Sequence, residues 1–156
     1  MAIAKTLQEY LRKQGISYEV LTHSHTTSSM KTAEAAHIPG GELAKTVVLK
    51  DDKGYLTVVL PSTRQLDVGA LNSHLKRRLR LATEQELSAL FRDCKLGAVP
   101  PVGAAYGIET LLDDSLTEEA DIYFEAGDHE EVIHVSRDQF MGLLGYVKHG
   151  HFSHHA

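Results

Sequence analysis

Apolar and polar positions recur along this chain with two periods, and the places where one period gives way to the other outline its elements. The strongest strand signal lies within 39–61. Residues 46–49 are β-branched and apolar, Asp51-Asp52-Lys53-Gly54 has turn chemistry, and 55–60 is apolar again, which predicts a hairpin. Alternation with period two puts Thr46, Val48 and Lys50 on a solvent face. It puts Lys45, Val47 and Leu49 on the face toward the core. A lysine aimed inward at the mouth of a sheet is costly unless it curls back to water or serves a pocket. Read alone, the curled-back lysine is the commoner outcome, and the functional ammonium is the alternative.

The helical period appears at both ends of the chain. Ile3, Leu7, Tyr10 and Leu11 share one face of a helix over 3–14, stopped by Gly15. A strand at 17–22 follows, then a polar stretch, then a helix that Ser28 or Ser29 can cap and that ends near His37. After the hairpin, 62–65 reads as a loop, and Asp67 caps a short helix carrying Val68, Leu71 and Leu75. A brief strand is expected at 79–82, and Thr83-Glu84-Gln85-Glu86 resembles a capping box opening a helix to Phe91. Gly97, Gly103, Gly107 and Pro100-Pro101 mark a rigid loop, which lacks the Gly-Lys-Ser/Thr ending of a phosphate loop. Strands are expected at 110–113, 121–126 and 130–135, a helix at 137–144 and a last strand at 146–148. In the pair 121–126 and 130–135, Ile133 and Val135 face Ile122 and Phe124. His129 shares their parity and points inward, whereas His134 lies on the other face.

Composition narrows the class. The 156 residues suit one domain with a proper core, and no apolar run approaches a membrane span. A lone cysteine, Cys94, excludes an internal disulfide framework and fits a reducing cytoplasm. The formal charge of −5 argues against a protein that tracks a long nucleic-acid backbone, DNA included, although Lys76-Arg77-Arg78-Leu79-Arg80 forms a local basic run.

Candidate chemistries can then be sorted. His23 and His25, with His149, His151, His154 and His155, invite a metal reading. The C-terminal histidines have no cysteine or carboxylate at ligand spacing, and no His-Glu-x-x-His helix occurs. No metal or cofactor is therefore expected, and 149–156 reads as a His-rich, disordered tail. No Gly-x-Ser-x-Gly elbow is present, and Cys94 reads as structural. An inward lysine, an inward histidine and a Gly/Pro loop remain, a set able to bind and polarise a small acyl compound.

Three segments now carry a resemblance: Ala44-Lys45-Thr46-Val47-Val48-Leu49, Gly97-Ala98-Val99-Pro100-Pro101 and Phe124-Glu125-Ala126-Gly127-Asp128-His129. In this order and spacing they resemble the YbaK family of aminoacyl-tRNA deacylases, free-standing relatives of the editing domain of bacterial prolyl-tRNA synthetase. The resemblance runs from the first helix to about Leu144. It implies a single α+β domain, here 1–148, with a mixed, barrel-like β-sheet flanked by helices. It implies hydrolysis of the ester between a wrong amino acid and the tRNA 3′-terminal adenosine, the amino acid being small, such as Ala, Ser, Cys or Thr.

On that resemblance Lys45 and His129 are the catalytic candidates, and Thr46, Gly97, Ala98, Val99, Pro100 and Pro101 the substrate-binding ones. Lys76, Arg77, Arg78 and Arg80 are candidates for tRNA contact. The expected partners are the aminoacylated acceptor end of tRNA and an aminoacyl-tRNA synthetase, with no membrane and no DNA. Two alternatives stay open: a non-catalytic module of the same fold that captures aminoacyl-tRNA or a synthetase, and a deacylase of a non-tRNA ester.

Overall fold

The computed structural model describes residues 3–24, 29–95, 98–145 and 147–155. Expectations resting on Ser28, Gly97 and Tyr146 fall outside those residues.

The expected hairpin is the centre of the fold. Strands β2 (Leu43–Asp51) and β3 (Gly54–Pro61) pair antiparallel from Ala44↔Pro61 to Asp51↔Gly54, around a turn in which Lys53 N–H donates to the Asp51 carboxylate. On one flank, β1 (Glu19–Thr22), β8 (Glu131–Ser136) and β7 (Asp121–Glu125) lead to β2; on the other, β3 leads to β6 (Glu109–Asp113) and β9 (Lys148–Gly150). The sheet order is thus β1-β8-β7-β2-β3-β6-β9, and β5 (Arg80–Leu81) also pairs with β2. β2–β7, β3–β6 and β6–β9 are parallel pairs and the others antiparallel, so the sheet is mixed. Helices α1 (Lys5–Gln14), α2 (Ser29–Ala35), α3 (Val68–Leu75), α4 (Glu84–Leu90) and α5 (Arg137–Leu144) flank it, in a single α+β domain.

Local chemistry explains most boundaries. α1 buries Leu7 and Leu11 and ends at Gly15, whose φ of 63° is open to glycine at little cost. Asp67 caps α3 through Ala70 N–H, and Thr83–Glu86 and Ser136–Gln139 form full capping boxes on α4 and α5. The pairing Ile122↔Val135 and Phe124↔Ile133 is the one the alternation predicts.

Two expectations are corrected. The face of β2 assigned to solvent is covered as well. Ala44 and Val59 join Leu7, Leu11, Phe124 and Phe140 in one core cluster, and Val48 is buried. Val47, Leu49, Leu56 and Val58 join Leu71, Leu79 and Phe152 in another, on the Lys45 side. Alternation here separates two packed faces, as expected for a central strand of a sheet layered on both sides. Lys50 reaches its edge by pairing with Glu86 at 3.1 Å.

The second correction concerns the tail. Lys148–Gly150 pairs with β6, and β10 (Ser153–His155) pairs antiparallel with β4 (Arg64–Leu66), a segment expected to be loop. Phe152, between them, is buried in the second cluster; its N–H donates to the buried Asp113 carboxylate at 2.9 Å. Three-residue strands are too short to show a period, and one phenylalanine among histidines carries no pattern.

Candidate active site

Lys45 lies where the sheet splits. One edge of β2 pairs with β7 at Leu43↔Tyr123 and Ala44↔Phe124, then with β5 at Leu49↔Leu81 and Lys50↔Arg80. Between these pairings β2 has no strand partner on that edge among the described residues. A gap of this kind between diverging strands is a natural place for a ligand. Lys45 is half-buried on the same face as Val47 and Leu49, and it forms no ion pair among the described residues. Burial lowers its pKa from the ordinary lysine value, because an ammonium loses hydration there.

Just past the last β2–β7 pair, Ala44↔Phe124, alternation puts Lys45 and Glu125 on the same face of the sheet. Glu125 ends β7 and is only 3% exposed. Its Oε2 lies 2.9 Å from His129 Nδ1, and its Oε1 lies 3.9 Å from Nε2 of the buried His23. The 2.9 Å separation is that of a hydrogen bond, but the ring is turned off the line of a straight one, so the contact is chiefly electrostatic. Burial pushes the Glu125 carboxyl up to about 7; the Thr32 hydroxyl opposes that rise, and the charge of Asp128 adds to it.

His129 is inward and 4% exposed, but it lies on the Glu125 side of the sheet and not on the face of Ile133 and Val135 that its parity predicts, because the turn breaks the alternation. It stands in a turn and not on a strand, with φ of 61°. That left-handed conformation is uncommon outside glycine, although His adopts it more readily than most side chains, as Asn and Asp do. Asp128 holds the turn, its Oδ1 accepting from the N–H groups of Glu130 and Glu131 at 2.9 Å each. Gly127, at φ 108°, precedes it, and a Cβ there would stand 2.8 Å from Ala4 Cβ.

The Gly/Pro loop is tied to this turn, since Lys95 N–H donates to Gly127 O at 2.8 Å. Ala98, Pro100 and Pro101 are buried and Val99 is half-buried; Gly97 lies outside the described residues. Ala98 N–H already donates to Lys95 O, and the prolines have no N–H. Of residues 98–101, Val99 is thus the one whose N–H could be offered to an oxyanion. Thr46 points to the opposite face from Lys45, and its hydroxyl is buried with no hydrogen bond. Cys94 contacts Tyr106 Oη at 3.2 Å, and burial pushes its thiol up to about 12, so it is inert.

The basic run sits at the far end of the hairpin, about 20 Å from Lys45 by strand rise. Arg77 forks onto Asp51 with two hydrogen bonds of 2.6 Å, and Arg80 pairs with Glu86. Lys76 and Arg78 are exposed beside a 490 Å³ cleft. Among the described residues no group of three or more His, Cys, Asp or Glu side chains is placed to hold a metal ion, and no helix is long and apolar enough to cross a membrane.

Residue types alone do not expose Glu125 as the partner of His129, nor His23 and Thr32 as neighbours of Glu125. The one available signal is the four-residue spacing from Glu125 to His129 across a Gly-Asp turn.

Residues 23–143 match the aminoacyl-tRNA editing domain family. The chain belongs to that family, whose name makes aminoacyl-tRNA the class of substrate. Among solved structures, it is similar to a scaffold used for epitope backbone grafting (TM-score 0.85, 21% identity, 97% of each chain covered). It is also similar to the hypothetical protein APE2540 (0.84, 22%, 96% of this chain and 100% of that one). A protein put forward as a trans-editing enzyme for prolyl tRNA synthetase superposes as well (0.85, 22%, 97% and 96%). At these identities the likeness establishes the fold. A search of curated proteins by sequence returned no match.

Proposed function

We propose that this protein is an aminoacyl-tRNA deacylase, which hydrolyses the ester joining a wrong, small amino acid to the 3′-terminal adenosine of tRNA. The observation that carries the reading is the half-buried Lys45, without an ion pair among the described residues, at the split in the sheet and on the same face as Glu125 and its neighbour His129. Water attacks the acyl carbon, and the carbonyl oxygen gains charge as the tetrahedral intermediate forms. Lys45 stabilises that charge or the adjoining ribose and phosphate, and Val99 N–H donates to the oxyanion. Such groups are worth more in a partly dehydrated site than in water, and each typically supplies ~10²–10³ in rate. His129 orients the water or the α-amino group. Discrimination among small side chains by one methylene yields only about 1–3 kcal/mol, which is why a second hydrolytic sieve is needed. Lys76 and Arg78 are the cations best placed to meet the acceptor stem, since Arg77 and Arg80 are committed to carboxylates.

The test is deacylation of tRNA charged with Ala, Ser, Cys or Thr by wild type and Lys45→Ala. The reading expects turnover of at least one of these and a loss of ~10²-fold or more in the variant. Activity of a folded Lys45→Ala within about threefold of wild type would remove Lys45 from the chemistry. Tight binding of charged tRNA with no turnover would make the protein a capture module.

A further inference from the structure

We propose that Glu125 is a positioning residue for His129, its buried carboxyl group holding the Nδ1 side of the ring. The inference rests on the deacylase reading and adds to it a group that does not touch substrate.

A carboxylate has only lone pairs to offer, so the nitrogen at 2.9 Å from Oε2 is the one that carries hydrogen. Nδ1 is that nitrogen, and a small rotation of the ring aligns its N–H with the oxygen. The neutral ring is then the Nδ1–H tautomer. Backbone and carboxylate fix the ring together: the φ of 61° and the Asp128 hydrogen bonds set its direction, and Glu125 sets its rotation and tautomer.

His23 makes the arrangement depend on a proton. Its Nδ1 lies 2.6 Å from Ser24 O, and a carbonyl oxygen only accepts, so Nδ1 carries hydrogen. A neutral His23 therefore presents the lone pair of Nε2 to Glu125 Oε1, 3.9 Å away. Two acceptors facing one another out of water repel, and a proton on the carboxyl group relieves them. Burial raises Glu125 to about 7, which brings this proton into the neutral range. The other groups acting on Glu125 are the Thr32 hydroxyl from α2 and the charge of Asp128 from the turn, and Lys45 of β2 shares its face of the sheet. Protonating the cluster weakens the hold on Nδ1, so activity should fall on the acid side of neutrality.

The experiment joins ¹⁵N NMR of the imidazole rings to steady-state deacylation of wild type, Glu125→Gln and Glu125→Asp. Above about pH 8, where an ordinary imidazole is neutral, wild-type His129 should be the Nδ1–H tautomer. In Glu125→Gln, whose amide can accept or donate, the ring should become a mixture of tautomers. Its kcat should drop roughly 10–100-fold with KM unchanged within about twofold, as when the partner of a functional imidazole is removed. The acid limb of the wild-type pH profile should move, and Glu125→Asp should recover part of the rate. An Nε2–H tautomer in wild type overturns the proposal, as does a folded Glu125→Gln with unchanged kcat and pH profile. If that variant fails to fold, the wild-type spectrum decides alone. Absence of deacylation in wild type would refute the enzyme reading, while the tautomer would still decide the role of Glu125.

Discussion

Phe152→Ala should destabilise the whole domain, although the residue lies four positions from the end of this sequence in a run of histidines. The ring is 3% exposed and packs with Leu49, Leu56, Val58, Leu71, Leu79 and Leu111, under the central hairpin. It also meets His74 edge-on, with centroids 5.4 Å apart. Truncating a buried phenylalanine to alanine costs about 3–5 kcal/mol, as lost transfer energy plus the cavity left behind. Strand β10 is short and can shift to fill part of the space, so the low end, about 3 kcal/mol, is expected. With a urea m-value of about 2 kcal/mol/M, that moves the unfolding midpoint down by about 1.5 M. At about 2–4 °C per kcal/mol for a domain of this size, Tm falls by about 6–12 °C. His154→Ala, on the exposed side of β10, is the control and should shift the midpoint little. A Phe152→Ala midpoint within about 0.3 M of wild type, roughly 0.5 kcal/mol, would mean that the C-terminal segment does not pack on the domain.

The remaining predictions concern charge. Asp51 is held down to about 2 by its hydrogen bonds to Arg77, from an ordinary 3.8. Its contribution to stability is therefore present above about pH 4 and lost as pH falls toward 2, and acid titration of stability should show that loss in wild type but not in Arg77→Ala. Glu125 runs the other way: with a carboxyl raised from 4.5 to about 7, its contribution is complete below pH 4.5 and lost as pH rises through 7. The Tm of wild type should accordingly fall between pH 5 and 8 more than that of Glu125→Gln. Neutralising Lys76 and Arg78 should weaken tRNA binding and reduce the slope of log K against log salt by about 1–2, with no change in hydrolysis of a minimal aminoacyl-adenosine. An unchanged Kd for charged tRNA would move contact elsewhere on the surface. Turnover should survive EDTA, and loss restored by Zn²⁺ would reopen the histidine-metal reading.

Local pattern was enough for the hairpin, the helix caps and the β7–β8 register. Each depends on neighbours a few residues apart in the chain, where period, turn chemistry and capping act directly. The arrangement around Lys45 depends on distance instead. The edge of β2 is open because β7, some 80 residues on, leaves it after two pairings, and β5 joins it only at Leu49. Nothing in the local pattern of β2 encodes that. The same holds for Glu125, whose apolar strand hides a carboxylate that only folding sets against His129 and His23. Arg77 and Arg80 look like free cations in a basic run, but packing of α3 and α4 against the hairpin gives them to Asp51 and Glu86. Short strands and single buried rings such as Phe152 have too few residues for a period, so their place was decided by the tertiary contacts that enclose them.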